Sequence, residues 1–423
     1  MKALVDNDTM ANGKGTNSNT GTKIRHQGTA TQAQVAVNIV ISFVGAGLLG
    51  MPHAFSKAGW LLGSLALSVV SAANVYAMLL LVKCRKRLES EGHLDIIGYG
   101  DVGRVVAGVF GERVVNLCLV ISQVGFATAY LIFIAANVNS IWNDASNSKV
   151  DITFYVCFGC VPILSILVQS KDMSTLSPFS LMADCANLLG LGAVLFQDYE
   201  KYKFHHDSIQ AADLPNLLYV IAISIYSLEG VGLILPLESS CKKRDAFPFL
   251  LMKVVFGITL FMIIFGCCGY IAFGSKTESP ISLNLTVGSW ATLVKLALCF
   301  ALYLTYPIMM FPVNQVMENI VFGGNAGEQY HPMFRISVVL ATATVAYVMP
   351  DFKTFLHLVG SSICTLLGFI IPCYIHLQVF ESDIQPWEKL LDYTLIIFAS
   401  LFGILGTYTS FLDLFYPETG GRY

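Results

Sequence analysis

About eleven stretches of this chain are each apolar for roughly 20 residues, the length that carries an α-helix across a bilayer. Two of them are interrupted by glycine and proline at matching places. Lipid offers no partner for a backbone N–H or C=O, so a spanning segment that cannot stay helical must face protein, water or a ligand. The two interrupted segments therefore constrain the fold more than any other feature. The apolar stretches lie near residues 33–55, 58–82, 113–142, 151–168 and 175–196, then 214–235, 247–273, 289–320, 334–350, 354–378 and 387–411. The eighth is long enough to tilt or to kink at Pro307 and Pro312.

Composition agrees with a polytopic membrane protein, since 55% of the 423 residues are apolar, 13% are charged and the mean hydropathy is +0.65. A net charge of −3 gives no basic footprint, which argues against nucleic acid as a partner. Residues 1–30 are polar and rich in Asn, Gly and Thr and read as a disordered cytosolic tail. Residues 31–412 form one transmembrane domain, and 413–423 a short C-terminal tail. Nine of the eleven cysteines fall in apolar spans, while Cys84 and Cys241 sit at basic helix ends. They form no disulfide framework, and neither a metal nor a cofactor is implied.

The positive-inside rule sets the orientation. With a cytosolic N-terminus, the inner segments hold sixteen Lys and Arg and the outer segments seven, so the N-terminus is placed inside. The sequon Asn284-Leu285-Thr286 then faces outward, where an N-glycan could be attached.

The first interrupted segment reads FVGAGLLGMP, Phe43 to Pro52, and the second SLEGVGLILP, Ser227 to Pro236. Both carry G-x-G-L with a proline four or five residues on. They are five spans apart, an odd number, so they cross in opposite directions, as in two five-helix repeats of inverted topology plus one extra helix. Paired broken helices point to a transporter's binding site. The positive N-terminal ends of half-helices suit a carboxylate, and freed carbonyls suit an ammonium group or a cation, a pair that describes an amino acid. The alternative is that these glycines only let helices approach closely.

These segments resemble the amino acid/auxin permease family, and within it the proton-coupled and plant vacuolar branch that includes aromatic and neutral amino acid transporters. The resemblance runs through GAGLLGMPHAFSKAGWLLGSL, LLLVKCRKRLESE, YGDVG, SQVGFATAYLIFIAANV, LSPFSLMADCANLLG, LEGVGLILPLESSCKKRDAFP, CGYIAFG, ISLNL and PIMMFPVN, covering residues 30–412. It implies eleven spans, a cytosolic N-terminus, and secondary amino acid transport by alternating access with proton coupling, in a vacuolar, plasma or endoplasmic reticulum membrane. By match to the first break, Val44, Gly45, Ala46, Gly47 and Leu48 are expected to offer backbone groups to the substrate, and Tyr226, Ser227, Leu228, Glu229 and Gly230 to complete the pocket. Ser42, Gln123, Tyr130 and Tyr306 are candidates for reading its side chain, against ordinary helix packing as the alternative.

A carboxylate within a span costs about 2.5–3.5 kcal/mol on insertion scales, so its presence marks a pathway or a partner. Glu229 is thus either a proton-coupling group or an acid that caps the broken helix, and Asp184 in the fifth span poses the same choice. Asp172 and Glu238 lie at membrane ends. Animal proton-coupled members carry a histidine about two turns before Gly-x-Gly, where this chain has Asn38, which cannot titrate but could offer an amide oxygen to Na+. Among the eight histidines, His53 after the first-span proline is the best substitute. An enzyme would need a catalytic set that the spans lack, and a channel a ring of charge or a filter loop. A membrane-embedded amino acid sensor would share the same pocket.

Overall fold

The computed structural model describes residues 28–146, 150–170, 173–202, 209–285, 288–322 and 331–415, and in these it is helical throughout, without a strand. Most of the predicted tail lies outside the described residues, as do Asp172, the sequon's Thr286 and the C-terminal segment 416–423. The elements are α1 (Gln32–Phe43), α2 (Ala46–Ala58), α3 (Trp60–Ser90), α4 (Tyr99–Ser146), α5 (Thr153–Leu167), α6 (Met173–Tyr202), α7 (Leu217–Ser227) and α8 (Val231–Ser240). They continue with α9 (Phe247–Phe273), α10 (Ser289–Phe322), α11 (Pro332–Val348), α12 (Phe352–Val359), α13 (Ile371–Val379) and α14 (Pro386–Phe415).

Among the described residues seven stretches are long and apolar enough to span a membrane and the bent pair α1–α2 makes an eighth, while the shorter apolar helices Thr153–Leu167, Cys185–Gln197 and Pro332–Val348 lie where the other three of the eleven expected spans fall. The gap expected at 83–112 is largely helical instead. α3 runs on to Ser90, and α4 begins at Tyr99 and breaks at Ala107 and Gly108, where φ is +63° and only glycine fits easily. The buried Tyr99 hydroxyl donates to the Leu367 carbonyl at 3.2 Å, so this early turn belongs to the bundle. α10 passes through Pro307 and Pro312 as one helix. Between α12 and α13 the tenth span winds as π-helix, Gly360–Cys364 and Leu366–Ile370, a form that recurs at functional sites. Cys157 and Cys160 have Cys-x-x-Cys spacing, but they are free thiols on neighbouring turns of α5.

The first and sixth spans run antiparallel, and backbone bonds at both ends establish it. At one end the Ala30 N–H donates to the Ser240 carbonyl and the Lys242 N–H to Ala30, both at 2.9 Å. At the other the Asp213 N–H donates to the Ala58 carbonyl at 2.7 Å and the Leu61 N–H to Ala211 at 3.0 Å. The N-terminal segment thus marks a near side of the membrane and the α2–α7 junction a far side.

Charged groups gather on the near side. Glu238 is fully buried and meets Arg85 at 3.0 Å and Arg244 at 2.6 Å, while Glu89 meets Arg85 at 3.1 Å and Arg244 at 3.0 Å. Arg85 also donates to the Leu235 carbonyl at 2.8 Å, tying α3 to α8. On the same side the Arg335 guanidinium grips both Glu318 oxygens at 2.8 and 2.9 Å, and its other nitrogen reaches the Val168 carbonyl at 3.1 Å. This joins α10, α11 and the end of α5. On the far side the Asn284 side chain is engaged in its own loop, donating to the Lys276 carbonyl at 2.8 Å and accepting from the Glu278 N–H at 2.6 Å.

Removing one partner of a buried pair leaves an uncompensated charge. Glu318→Gln is expected to destabilise the protein by about 3–5 kcal/mol, read as a lower thermal midpoint in detergent. Replacing both Glu318 and Arg335 by Leu should recover most of the loss; an unchanged midpoint for Glu318→Gln would show that the pair carries no stability.

Candidate substrate site at the paired helix breaks

α1 ends because its last residues lead into Val44 (φ −86°, ψ 94°) and Gly45 (φ −142°, ψ −161°), both extended, before α2 starts at Ala46 on an axis turned by 57°. The Val44 N–H still donates to Val40, closing α1, and the Leu48 N–H donates to Gly45, opening α2. The first amides of α2 consequently have no acceptor one turn earlier in their own helix. α7 stops at Ser227, and Leu228 (φ −102°, ψ 11°) through Gly230 (φ −165°, ψ 8°) separates it from α8. The Leu228 carbonyl freed by this break accepts from the Asn74 amide of α3 at 2.5 Å.

The two breaks touch. A Cβ at Gly47 would collide with the Ser227 hydroxyl and lie 2.8 Å from the Tyr226 ring, so glycine is required by the approach of α2 to the end of α7. Reciprocally, a Cβ at Gly230 would stand 2.9 Å from the Phe43 ring at the end of α1. Close packing and interrupted helices, two competing readings of these glycines in the sequence, are both present at one crossing.

A cavity of about 150 Å³ lies against this crossing. Ten residues named from the sequence line it: Ser42, Gly45, Ala46 and Gly47 from the first break, Gln123 and Tyr130 from α4, and Tyr226, Ser227, Glu229 and Gly230 from the second. Four do not. Val44 and Leu48 turn into the core, Leu228 is buried behind its carbonyl, and Tyr306 is spent between α10 and α11, bonded to the Thr342 hydroxyl at 2.6 Å. Asn38 also lies outside the cavity wall, its carbonyl accepting from the Ser42 hydroxyl at 2.7 Å. Asp184 is on α6, and its side chain lies outside what the structure describes.

Sequence reasoning missed Phe43, Leu119, Phe126, Gly232, Leu233, Met309 and Pro312. Leu119, Gln123, Phe126 and Tyr130 stand at spacings of four, three and four on α4, one face of a helix. Extending that face from Gln123 and Tyr130 would have found the other two. Met309 and Pro312 come from α10, which only tertiary packing brings to the site.

The cavity is aromatic on one wall and polar at the breaks. The Phe126 ring meets Tyr226 edge to face, centroids 4.9 Å apart. The buried Tyr226 hydroxyl makes no hydrogen bond among the described residues, and the Tyr130 hydroxyl faces Gly45, at 3.6 Å from where a Cβ would be. Glu229 is half-buried and accepts the Val231 N–H, which is the capping role; a Cβ at Gly368 in the π-helical stretch would lie 3.5 Å from its carboxylate. From the breaks the wall continues toward the near side through Gly232 and Leu233 of α8 and Pro312 of α10. On the far side α2 is buried from Ala46 to Phe55, and glycines hold it there: a Cβ at Gly269 of α9 would stand 2.6 Å from Pro52.

Comparisons with known proteins agree with this architecture. The family model described as transmembrane amino acid transporter protein matches residues 27–412. The chain is 34% identical over 402 residues to the amino acid transporter ANT1 of Arabidopsis thaliana, covering 90% of this chain and 92% of that one, and 35% identical over 404 residues to AVT3C of the same plant, covering 91% and 92%. It is 28% identical to the vacuolar amino acid transporter 3 of Saccharomyces cerevisiae over 88% of this chain and 55% of that one. Among solved structures it is similar in fold to Mhp1, a nucleobase-cation-symport-1 family transporter (TM-score 0.53, 12% identity, 91% and 93% covered), and to MhsT in complex with L-phenylalanine (TM-score 0.51, 14% identity, 91% and 99% covered). The chain belongs to the transmembrane amino acid transporter family, and it is a multi-pass membrane transporter rather than an enzyme.

Proposed function

We propose that this transporter moves aromatic and neutral amino acids by alternating access at the paired breaks, with a proton as the coupling ion. The observation that carries the reading is the cavity itself, where the amide start of α2, the carbonyl end of α7, Glu229 and an aromatic wall converge. A substrate carboxylate would meet the α2 amides and their positive helix end, while its ammonium group would meet the α7 carbonyl end. Phe126, Tyr130 and Tyr226 would take an apolar or aromatic side chain, with the free Tyr226 hydroxyl left for a polar contact.

Glu229 is the proposed proton carrier, because it joins the second break to the cavity and to the π-helical tenth span while no cation of the described residues forms a salt bridge with it. Its contact with the Val231 amide supports the capping role as well, and the two are compatible: a carboxylate that loses charge on protonation loosens the start of α8. Movement of the first and sixth spans against the others would alternate access between the two faces. The names of the yeast relatives support the vacuolar membrane, and the excess of Lys and Arg on the near side supports a cytosolic N-terminus.

Purified protein in proteoliposomes should take up radiolabelled phenylalanine and neutral amino acids, more strongly under an imposed pH gradient than without one. Gly47→Val should abolish this uptake while the protein remains monodisperse in detergent, since the valine side chain would push α2 off Ser227; wild-type flux would refute the site. Glu229→Gln should leave exchange measurable but remove its stimulation by the gradient, and an unaltered pH profile would return Glu229 to a purely structural role. Phe126→Ala should weaken phenylalanine uptake by about fivefold or more relative to alanine, on the scale of ~1 kcal/mol for an aromatic contact; equal losses for both would contradict an aromatic wall.

A further inference from the structure

Two histidines outside the cavity stand on separate elements at the far-side closure. His53 on α2 is eight residues past Gly45, which at 1.5 Å per residue places it about 12 Å from the break. Tyr219 on α7 precedes the second break by a similar distance, and His357 on α12 precedes the π-helical stretch. The Tyr219 ring sits between the two imidazoles, with centroids 5.9 Å from His53 and 5.4 Å from His357, edge to face in both cases. On the far side of the breaks α7 packs against both α2 and α12.

The bonding of the two rings differs. His53 Nδ1 donates to the Thr277 carbonyl at 2.6 Å, which anchors α2 to the segment between α9 and α10. His357 is 3% exposed, and neither of its ring nitrogens has a hydrogen-bond partner among the described residues. A buried polar group left unpaired costs about 1–3 kcal/mol, so this imidazole is not there as a structural tie. As a neutral ring it leaves one N–H and one lone pair unpaired, and protonation adds a charge and a second N–H donor with no acceptor for either among the described residues. The charged groups near the cluster are Lys57 on α2, Asp351 and Lys353 at the start of α12, and Asp413 near the end of α14. They are mixed in sign, and none supplies His357 with a hydrogen-bonded carboxylate.

We propose that His53 and His357, separated by Tyr219, form a proton-binding site that keeps the far-side closure shut while both rings are neutral and releases it when His357 takes a proton. With no described group accepting from either ring nitrogen, a charge gained at His357 favours the arrangement in which α2, α7 and α12 have parted and water reaches it. Tyr219 then offers its ring face to the imidazolium as the closure loosens. Acid on the far side therefore raises the fraction of transporters open to that side, independently of any proton carried at Glu229. The proposal rests on the transport reading, because a closure matters only if substrate passes it.

The test is radiolabelled phenylalanine counterflow by the full-length protein in proteoliposomes, with the same pH on both faces so that no gradient drives the flux. Between pH ~7.5 and ~5.5, either side of the ordinary imidazole range, wild-type exchange should rise about threefold or more. His357→Phe, which keeps the packing without a titrating group, should exchange at a rate independent of pH, and His53→Gln should behave in the same direction. His357→Gln serves as the second variant where phenylalanine is not accommodated. Acid stimulation retained in every His357 variant that exchanges would overturn the proposal while leaving the transport reading intact. An absence of exchange by wild type at both pH values would overturn the transport reading and this proposal with it.

Discussion

Everything in this molecule depends on one constraint: a backbone amide or carbonyl inside a bilayer must be paired by something other than lipid. Most of the chain satisfies it by staying helical. The exceptions are few and adjacent, at Val44–Gly45, at Leu228–Gly230 and in the π-helical stretch Gly360–Ile370. Glycine does two things at the first two places. It keeps the chain free of a Cβ where the helices cross, and it lets the breaks press together, Gly47 onto Ser227 and Gly230 onto Phe43. A cavity with polar backbone on one side and aromatic rings on the other follows from that crossing.

The ends of the bundle use different chemistry. On the near side, ion pairs among Arg85, Glu89, Glu238 and Arg244 and between Glu318 and Arg335 hold helix ends together with charge. The far side, where α2, α7 and α12 meet, is held by apolar packing, glycine contacts and the ring cluster of His53, Tyr219 and His357. This asymmetry matches a cavity wall that continues toward the near side and is capped toward the far side.

The fold was largely legible in the sequence because its two strongest signals are local: apolar length for the spans and G-x-G-L followed by proline for the breaks. Antiparallel first and sixth spans followed from the odd separation of those motifs. What local reading could not reach was tertiary. Tyr306 is a candidate for reading the substrate's side chain, but its hydroxyl is taken by Thr342 of α11, a partner 36 residues away. Met309 and Pro312, a few residues on, line the cavity instead, and nothing in the sequence told one face of α10 from another. Glu238 read as an unremarkable acid at a membrane end and proves fully buried between two arginines. His357 gave no signal at all, since its significance lies in having no partner.

The proposed seat of the amino acid is the crossing of the two breaks. The most direct measurement is a structure of the full-length protein determined with phenylalanine bound. Density is expected for the α-carboxylate at the start of α2, the ammonium group beside the end of α7, and the ring against Phe126 and Tyr226. Phenylalanine bound elsewhere, with the crossing of Gly47 and Ser227 unoccupied, would contradict it.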